Sequence, residues 1–217
     1  MTVIRCVLFA VLLLGLTACN RVITPTPLFT AADAAGAPVL RDGVWLMEEA
    51  ADPDDDEACV VNTRRPVKRW PDCANWLLLR EGEVVMSNQG GKAGRGKEEW
   101  VSMPLLVVGG EPALLQLGQL DEDPARTEYS YMGFAPTRRD GAGRVVAFDY
   151  WMTLCGPPPP QGEGQPSRYL TWELLPGLTG AGDNCTTTSK DAVRQATAAS
   201  QAWRGGESMR WVRDSYP

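Results

Sequence analysis

Six cysteines and no histidine bound the chemistry open to this 217-residue chain. The thiols are Cys6, Cys19, Cys59, Cys73, Cys155 and Cys185. No two of them form a C-x-x-C knuckle, and no imidazole is present to complete a ligand set, so no metal site is expected. The same absence removes Ser-His-Asp and Cys-His nucleophile arrangements. It also removes the one side chain that ordinarily titrates between about pH 5 and 8. Catalysis would have to come from carboxylate pairs, Ser-Lys pairs or tyrosine. Three charged stretches invite that reading and fall short of it. Gly91-Lys-Ala-Gly-Arg-Gly96-Lys97 matches most of a phosphate-binding loop, but Glu98 replaces the magnesium-holding Ser/Thr and a strand is expected next. Without a following helix N-terminus the phosphate cradle lacks its dipole. Asp52-Pro-Asp54-Asp55-Asp56-Glu57 lacks the glycine and the alternation of a calcium loop. Glu98 and Glu99 are adjacent on an expected strand, so they point to opposite faces and cannot act together. The reading is no catalytic residue, no cofactor and no enzyme.

The first nineteen residues carry a different chemistry. Arg5 precedes an apolar run from Cys6 to Leu16, which ends in Leu16-Thr17-Ala18-Cys19 before polar Asn20-Arg21. The run is too short for a spanning helix, which needs about 20 apolar residues. This segment resembles the lipobox signal peptide of bacterial lipoproteins. The resemblance implies cleavage before Cys19 and lipid attachment at Cys19. Asn20, rather than Asp, after the anchor implies sorting to the outer membrane, facing the periplasm. Residues 1–18 are thus expected to be a signal peptide, 19–38 a lipid anchor and flexible tether, and 39–217 a single β-rich periplasmic domain. Thr24-Pro-Thr-Pro27 and the Ala-rich stretch to Pro38 have no apolar period, which is the reason for expecting a tether.

With 21 Lys+Arg against 27 Asp+Glu, the net charge is −6. Loss of Arg5 with a signal peptide makes the remainder one unit more acidic. That balance lacks the footprint of a nucleic-acid binder and gives no general attraction to anionic lipid surfaces. The membrane is then reached through the lipid, and other partners would be an envelope glycan or protein. If Cys6 is discarded and Cys19 acylated, four thiols remain, an even number suited to disulfides in an oxidising compartment. Of the three connectivities, Cys59–Cys73 and Cys155–Cys185 are expected. Each joins sequence neighbours and closes a loop that is otherwise hard to order.

The elements that must position these residues read as short strands separated by Gly, Pro and acidic turns. The expected strands are Gly43–Glu49, Ala74–Arg80, Glu83–Ser87, Glu99–Val108, Ala113–Leu120, Glu128–Phe134, Arg144–Leu154 and Ser167–Leu174. Val, Leu, Tyr and Trp dominate them. Arg80-Glu-Gly-Glu83 and Arg138-Arg-Asp-Gly-Ala-Gly-Arg144 read as hairpin turns. Pro104 suggests that the 99–108 run is an edge strand, or two strands. Thr188-Ser-Lys-Asp191 has capping-box form and opens an Ala-rich helix over Lys190–Trp203, with Val193, Ala196, Ser200 and Trp203 on one face. Gly205-Gly206 end it, and Ser208–Val212 forms a last strand. The fold class is mainly β, an antiparallel sandwich or barrel with one C-terminal α-helix.

Eight tryptophans are the compositional oddity. Buried, they build a β core; exposed, they would stack on envelope sugars. Gly43-Val-Trp45 opens the first strand of the β domain, and Arg210-Trp211-Val-Arg213 follows the helix. With Asp149-Tyr150, this order resembles the lipocalins, and so implies a barrel that carries a small apolar ligand, with Arg210 or Arg213 packed over Trp45. The expected function is a lipid-anchored, non-catalytic accessory or binding protein of the envelope. The alternatives are a lipocalin-like carrier and, behind it, a periplasmic glycan hydrolase. Exposed tryptophans, a deep apolar cavity, or a cleft with two carboxylates would distinguish the three.

Overall fold

A computed structural model describes residues 20–48, 59–71, 73–87, 100–120, 127–157, 173–180, 184–203 and 207–215. Its strands are β1 (Arg21–Thr24), β2 (Gly43–Glu48), β3 (Trp76–Arg80), β4 (Glu83–Ser87), β5 (Trp100–Val108), β6 (Ala113–Leu120), β7 (Thr127–Arg139), β8 (Val145–Met152), β9 (Asn184–Cys185) and β10 (Ser208–Arg213). The one α-helix described, α1, spans Lys190–Ser200, and a single 3-10 turn continues it through Gln201–Trp203.

The architecture is a closed eight-stranded antiparallel barrel. Strands β2 to β8 form a meander in which each pairs with the next. β10 then fills the gap between β8 and β2 and closes the ring. This departs from the lipocalin order, because the strand after the helix is itself a stave of the barrel. The β3–β4 turn is tight. Glu81 and Gly82 both have positive φ, 53° and 79°, as a two-residue turn matched to strand twist requires. Asp140 organises the β7–β8 turn by accepting hydrogen bonds from the Ala142 and Arg144 backbone and the Arg144 guanidinium.

Three corrections follow from packing. First, Asn20–Pro38 is no tether. β1 pairs with β7 and β9, and Val22, Thr24 and Phe29 are buried. Buried Gln116 clamps Phe29 by accepting from its N–H at 2.9 Å and donating to its C=O at 3.0 Å. The folded unit therefore includes residue 20 onward rather than starting at Val39. Second, Pro104 lies in an interior strand. Pro104 pairs with Glu83 of β4, and the β5–β6 ladder begins one residue later, at Leu105↔Leu117. Gly118 makes the room, since a Cβ there would lie 2.7 Å from the Pro104 ring. Third, the helix is capped by Ser189, not Thr188. The Ser189 hydroxyl accepts from Ala192 N, while Thr187 Oγ1 accepts from Ser189 N. The strand expected over Ser167–Leu174 lies largely outside the described residues, as do Gly205-Gly206.

Apolar residues occupy both faces of most strands, and three cores result. The interior core holds Trp45, Leu79, Leu115, Phe134 and Phe148. A second lies outside, where α1, β1 and Phe29 cover Leu114, Tyr131 and Val108. The third packs Val67, Trp70 and Ala74 over Val44 and Leu46. α1 is held by matched polar contacts. Trp151 Nε1 donates to Thr197 O at 2.9 Å, and Thr153 and Thr197 hydroxyls meet at 2.9 Å.

Candidate ligand cavity in the barrel

The interior of the barrel is incompletely filled. A cavity of about 180 Å³ remains, bounded by side chains from all eight barrel strands together with Leu40. Period-two alternation explains the lining. Trp45 and Met47 face inward from β2, while Val44 and Leu46 face the outer core. Leu115 and Leu117 face inward from β6, while Leu114 and Gln116 face outward. Phe148 sits at the centre of an aromatic group, 5.2 Å from Trp45, 5.4 Å from Phe134 and 6.3 Å from Tyr150 between ring centroids. Five of the chain's seven methionines, Met47, Met86, Met103, Met132 and Met209, belong to this interior cluster. Met47 and Met209 are direct cross-strand partners. The sequence reading missed these methionines; the signal that marks them is the same alternation, since each stands two residues from another inward-facing position on its strand.

No polar surface lines the cavity. Such a wall can hold hydrocarbon by exclusion from water. The arrangement is inside-out relative to a membrane-spanning barrel, whose lumen is polar. β3 and β4, at five residues each, are also shorter than the roughly 9–11 that a spanning strand needs. Among the described residues no helix is long and apolar enough to cross a membrane.

The other expected site residues fall elsewhere. Cys59–Cys73 and Cys155–Cys185 are the disulfides, with Cα separations of 5.9 and 5.8 Å. The second does more than dock the helix. Cys155 N donates to Asn20 O, and Cys185 pairs with Val22, so the bridge clamps the start of β1. Cys19, the near-P-loop at 91–97, Glu98-Glu99 and the acidic run 52–57 lie outside the described residues. Trp45 carries no arginine. Arg210 pairs with Glu48 at 2.5 Å, and Arg213 donates to the Thr63 and Arg65 carbonyls. The stacked cation is Arg41, 3.7 Å from the ring centroid of Trp211. Arg41 also pairs with Asp214 and Asp140. Of the tryptophans described, Trp45, Trp70 and Trp151 are buried and only Trp100 is exposed, its ring tilted against half-buried Trp76 at 5.8 Å between centroids. Trp172 lies outside the described residues.

Among the described residues three titrating groups are shifted, all outside the cavity. Burial raises the Tyr131 phenol, against a hydrogen bond with Thr24 that lowers it. Thr24 Oγ1 already donates to Thr26 O, so Tyr131 is the donor in their 2.6 Å contact. Burial acts to raise Asp140, but the hydrogen bonds from Arg144 and Ala142 outweigh it and the carboxyl is lowered. Asp33 is lowered to about 2, chiefly by its hydrogen bond from Lys190, then by the Thr30 N–H. This contact, at 2.7 Å, ties the segment before β2 to the first residue of α1. A lowered folded-state pKa adds stability that is complete above the unfolded value near 3.8 and is lost as pH falls towards about 2. Asp33→Asn is therefore expected to destabilise the protein at neutral pH, with the gap closing through that window. Urea unfolding of both forms across pH checks it. A gap that stays constant down to the acid limit contradicts the assignment.

Compared with protein-family models, curated proteins and solved structures, the chain matches none.

Proposed function

We propose that the protein is a non-catalytic binding protein that takes the apolar part of a small ligand into its barrel, and that it does so at the periplasmic face of the outer membrane, anchored through Cys19. The observation that carries the binding reading is the closed barrel around an apolar cavity of about 180 Å³. An engineered apolar cavity of about 150 Å³ is large enough to bind benzene. Whole drug-sized sites run to about 300–1,000 Å³. The cavity thus suits one ring or a short alkyl chain, with any polar group of the ligand left outside. The methionines support adaptability, because their unbranched thioethers refit to ligands of different shape. Of the described tryptophans only Trp100 is exposed, which supports a carrier over a sugar-stacking surface. The absence of histidine and of a polar cavity wall supports the non-catalytic reading. The two disulfides support an oxidising compartment.

The test is a homologous series of n-alkyl ligands followed by Trp45 fluorescence or calorimetry. Each methylene moved from water into the cavity gains about 0.8 kcal/mol. Affinity is expected to rise roughly fourfold per added carbon and to level off once the cavity is full. Leu115→Trp, which fills the cavity from β6, is expected to weaken binding at least about tenfold while the far-ultraviolet spectrum stays native. Binding that ignores chain length, or that survives the filled cavity, refutes the reading.

A further inference from the structure

The point where the chain joins the fold has a consequence for how the barrel meets a membrane. Asn20 is 5% exposed. Its side-chain amide donates to Gly156 O at 3.1 Å, and its carbonyl accepts from Cys155 N at 3.1 Å. Two residues on, Val22 N donates to Thr153 O at 3.0 Å, and Val22 itself is fully buried. Arg21 and Val22 pair with Asn184 and Cys185 on the other side. The Cys155–Cys185 bridge joins the two flanking segments. The backbone is therefore fixed on both sides from Asn20 onward. The apolar run of the sequence ends at Leu16. Thr17, Ala18 and Cys19 can span no more than about 11 Å.

We propose that this leaves no slack, and that the face around Asn20, carrying Arg21, Pro157, Leu174 and Asn184, rests on a lipid bilayer. Whether the hydrophobic anchor is an acyl group on Cys19 or the apolar run itself, the bilayer surface lies within that short reach of a buried residue. Leu174 belongs to this face: Leu175 N donates to Cys155 O beside Asn20, and Leu174 is 37% exposed. A solvent-facing leucine there sits at the height of the headgroups. The β7–β8 turn is the reference for the solvent side: it joins the ends of β7 and β8 remote from Ser130 and Thr153, which β1 contacts, and a side chain at Gly141 meets nothing within 4 Å. The inference rests on the anchor expectation and is independent of what the cavity binds.

The experiment uses the full chain in isolated membranes. A photoreactive side chain replaces Leu174 in one form and Gly141 in another, and lipid adducts are read by mass. Adducts at 174 and none at 141 are expected. A Gly/Ser spacer of about ten residues between Cys19 and Asn20, reaching roughly 17 Å, is expected to abolish the adduct at 174 while the protein stays in the membrane fraction. An acylated N-terminus with adducts at neither position, or equally at both, overturns the seated face. A soluble, unacylated wild type that matches Cys19→Ser in mass and fractionation shows instead that the anchor expectation has failed, and the inference falls with it. The alkyl series in solution is untouched by either outcome.

Discussion

Gly43→Ala is expected to be among the most damaging single substitutions in this protein, costing about 3–5 kcal/mol. Gly43 opens β2 with φ at 129°, a conformation L side chains rarely adopt. An added Cβ would collide with the Arg213 carbonyl and lie 2.6 Å from Trp211 Nε1. Both belong to β10, the strand that closes the barrel. Trp211 Nε1 donates to Asp42 O at 2.9 Å, and Arg41 stacks on the same indole. One methyl group thus strains the backbone, displaces the closing strand and disturbs an aromatic-cation contact together. For a domain of this size each kcal/mol shifts Tm by about 2–4 °C, so a fall of roughly 10 °C is expected in a thermal melt. A change of less than about 2 °C would show that β10 does not approach β2 as described.

Removing the second disulfide by Cys155→Ala with Cys185→Ala is expected to cost about 3–4 kcal/mol in the chain-entropy account. The distribution of the loss is the sharper expectation. Both cysteines are buried in the outer core with Val22 and Val193. Hydrogen exchange should accelerate at Val22 and Leu175, whose amides bond to the segment the bridge holds, Thr153 and Cys155. Amides between β3 and β4 should keep their order relative to one another. Equal acceleration everywhere would mean that the bridge stabilises the whole barrel rather than β1. Removing Cys59–Cys73 should matter less, because it closes the shorter loop and both its cysteines are exposed.

Hairpins were legible in the sequence because their signals are local. Glu81-Gly82 must sit at positive φ, and Asp140 with its following glycines writes a turn. Glu83–Ser87 and Ala113–Leu120 are strands over their expected lengths. The helix was legible from its period, off by one residue at the cap because Thr187, Ser189 and Thr188 offer the same hydroxyl chemistry. What misled was tertiary. Asn20–Pro38 looks like linker until Gln116 clamps Phe29 and β7 pairs with Ile23 and Thr24. Pro104 looks like an edge until Gly118 vacates space beside it. Sandwich and barrel share one alternation pattern, and the choice between them is made by a pairing of distant strands. The cavity could not be read at all, since a void is a property of how eight inward faces meet, not of any one of them.

The pairing of β2 with β10 also has a temporal meaning. Glu48 and Arg210, which form an ion pair across that seam, stand 162 positions apart in sequence. Seven staves can form neighbour by neighbour as the chain emerges from a ribosome or a translocation pore. The ring cannot shut until Ser208–Arg213 has arrived. Until then β2 and β8 each present an open edge, and open edges invite pairing with other chains. Long-range closure of this kind is slow to reach, and it keeps the ring open until the last stave is made. A barrel closed by one early and one late strand becomes whole only when nearly all of its chain is present.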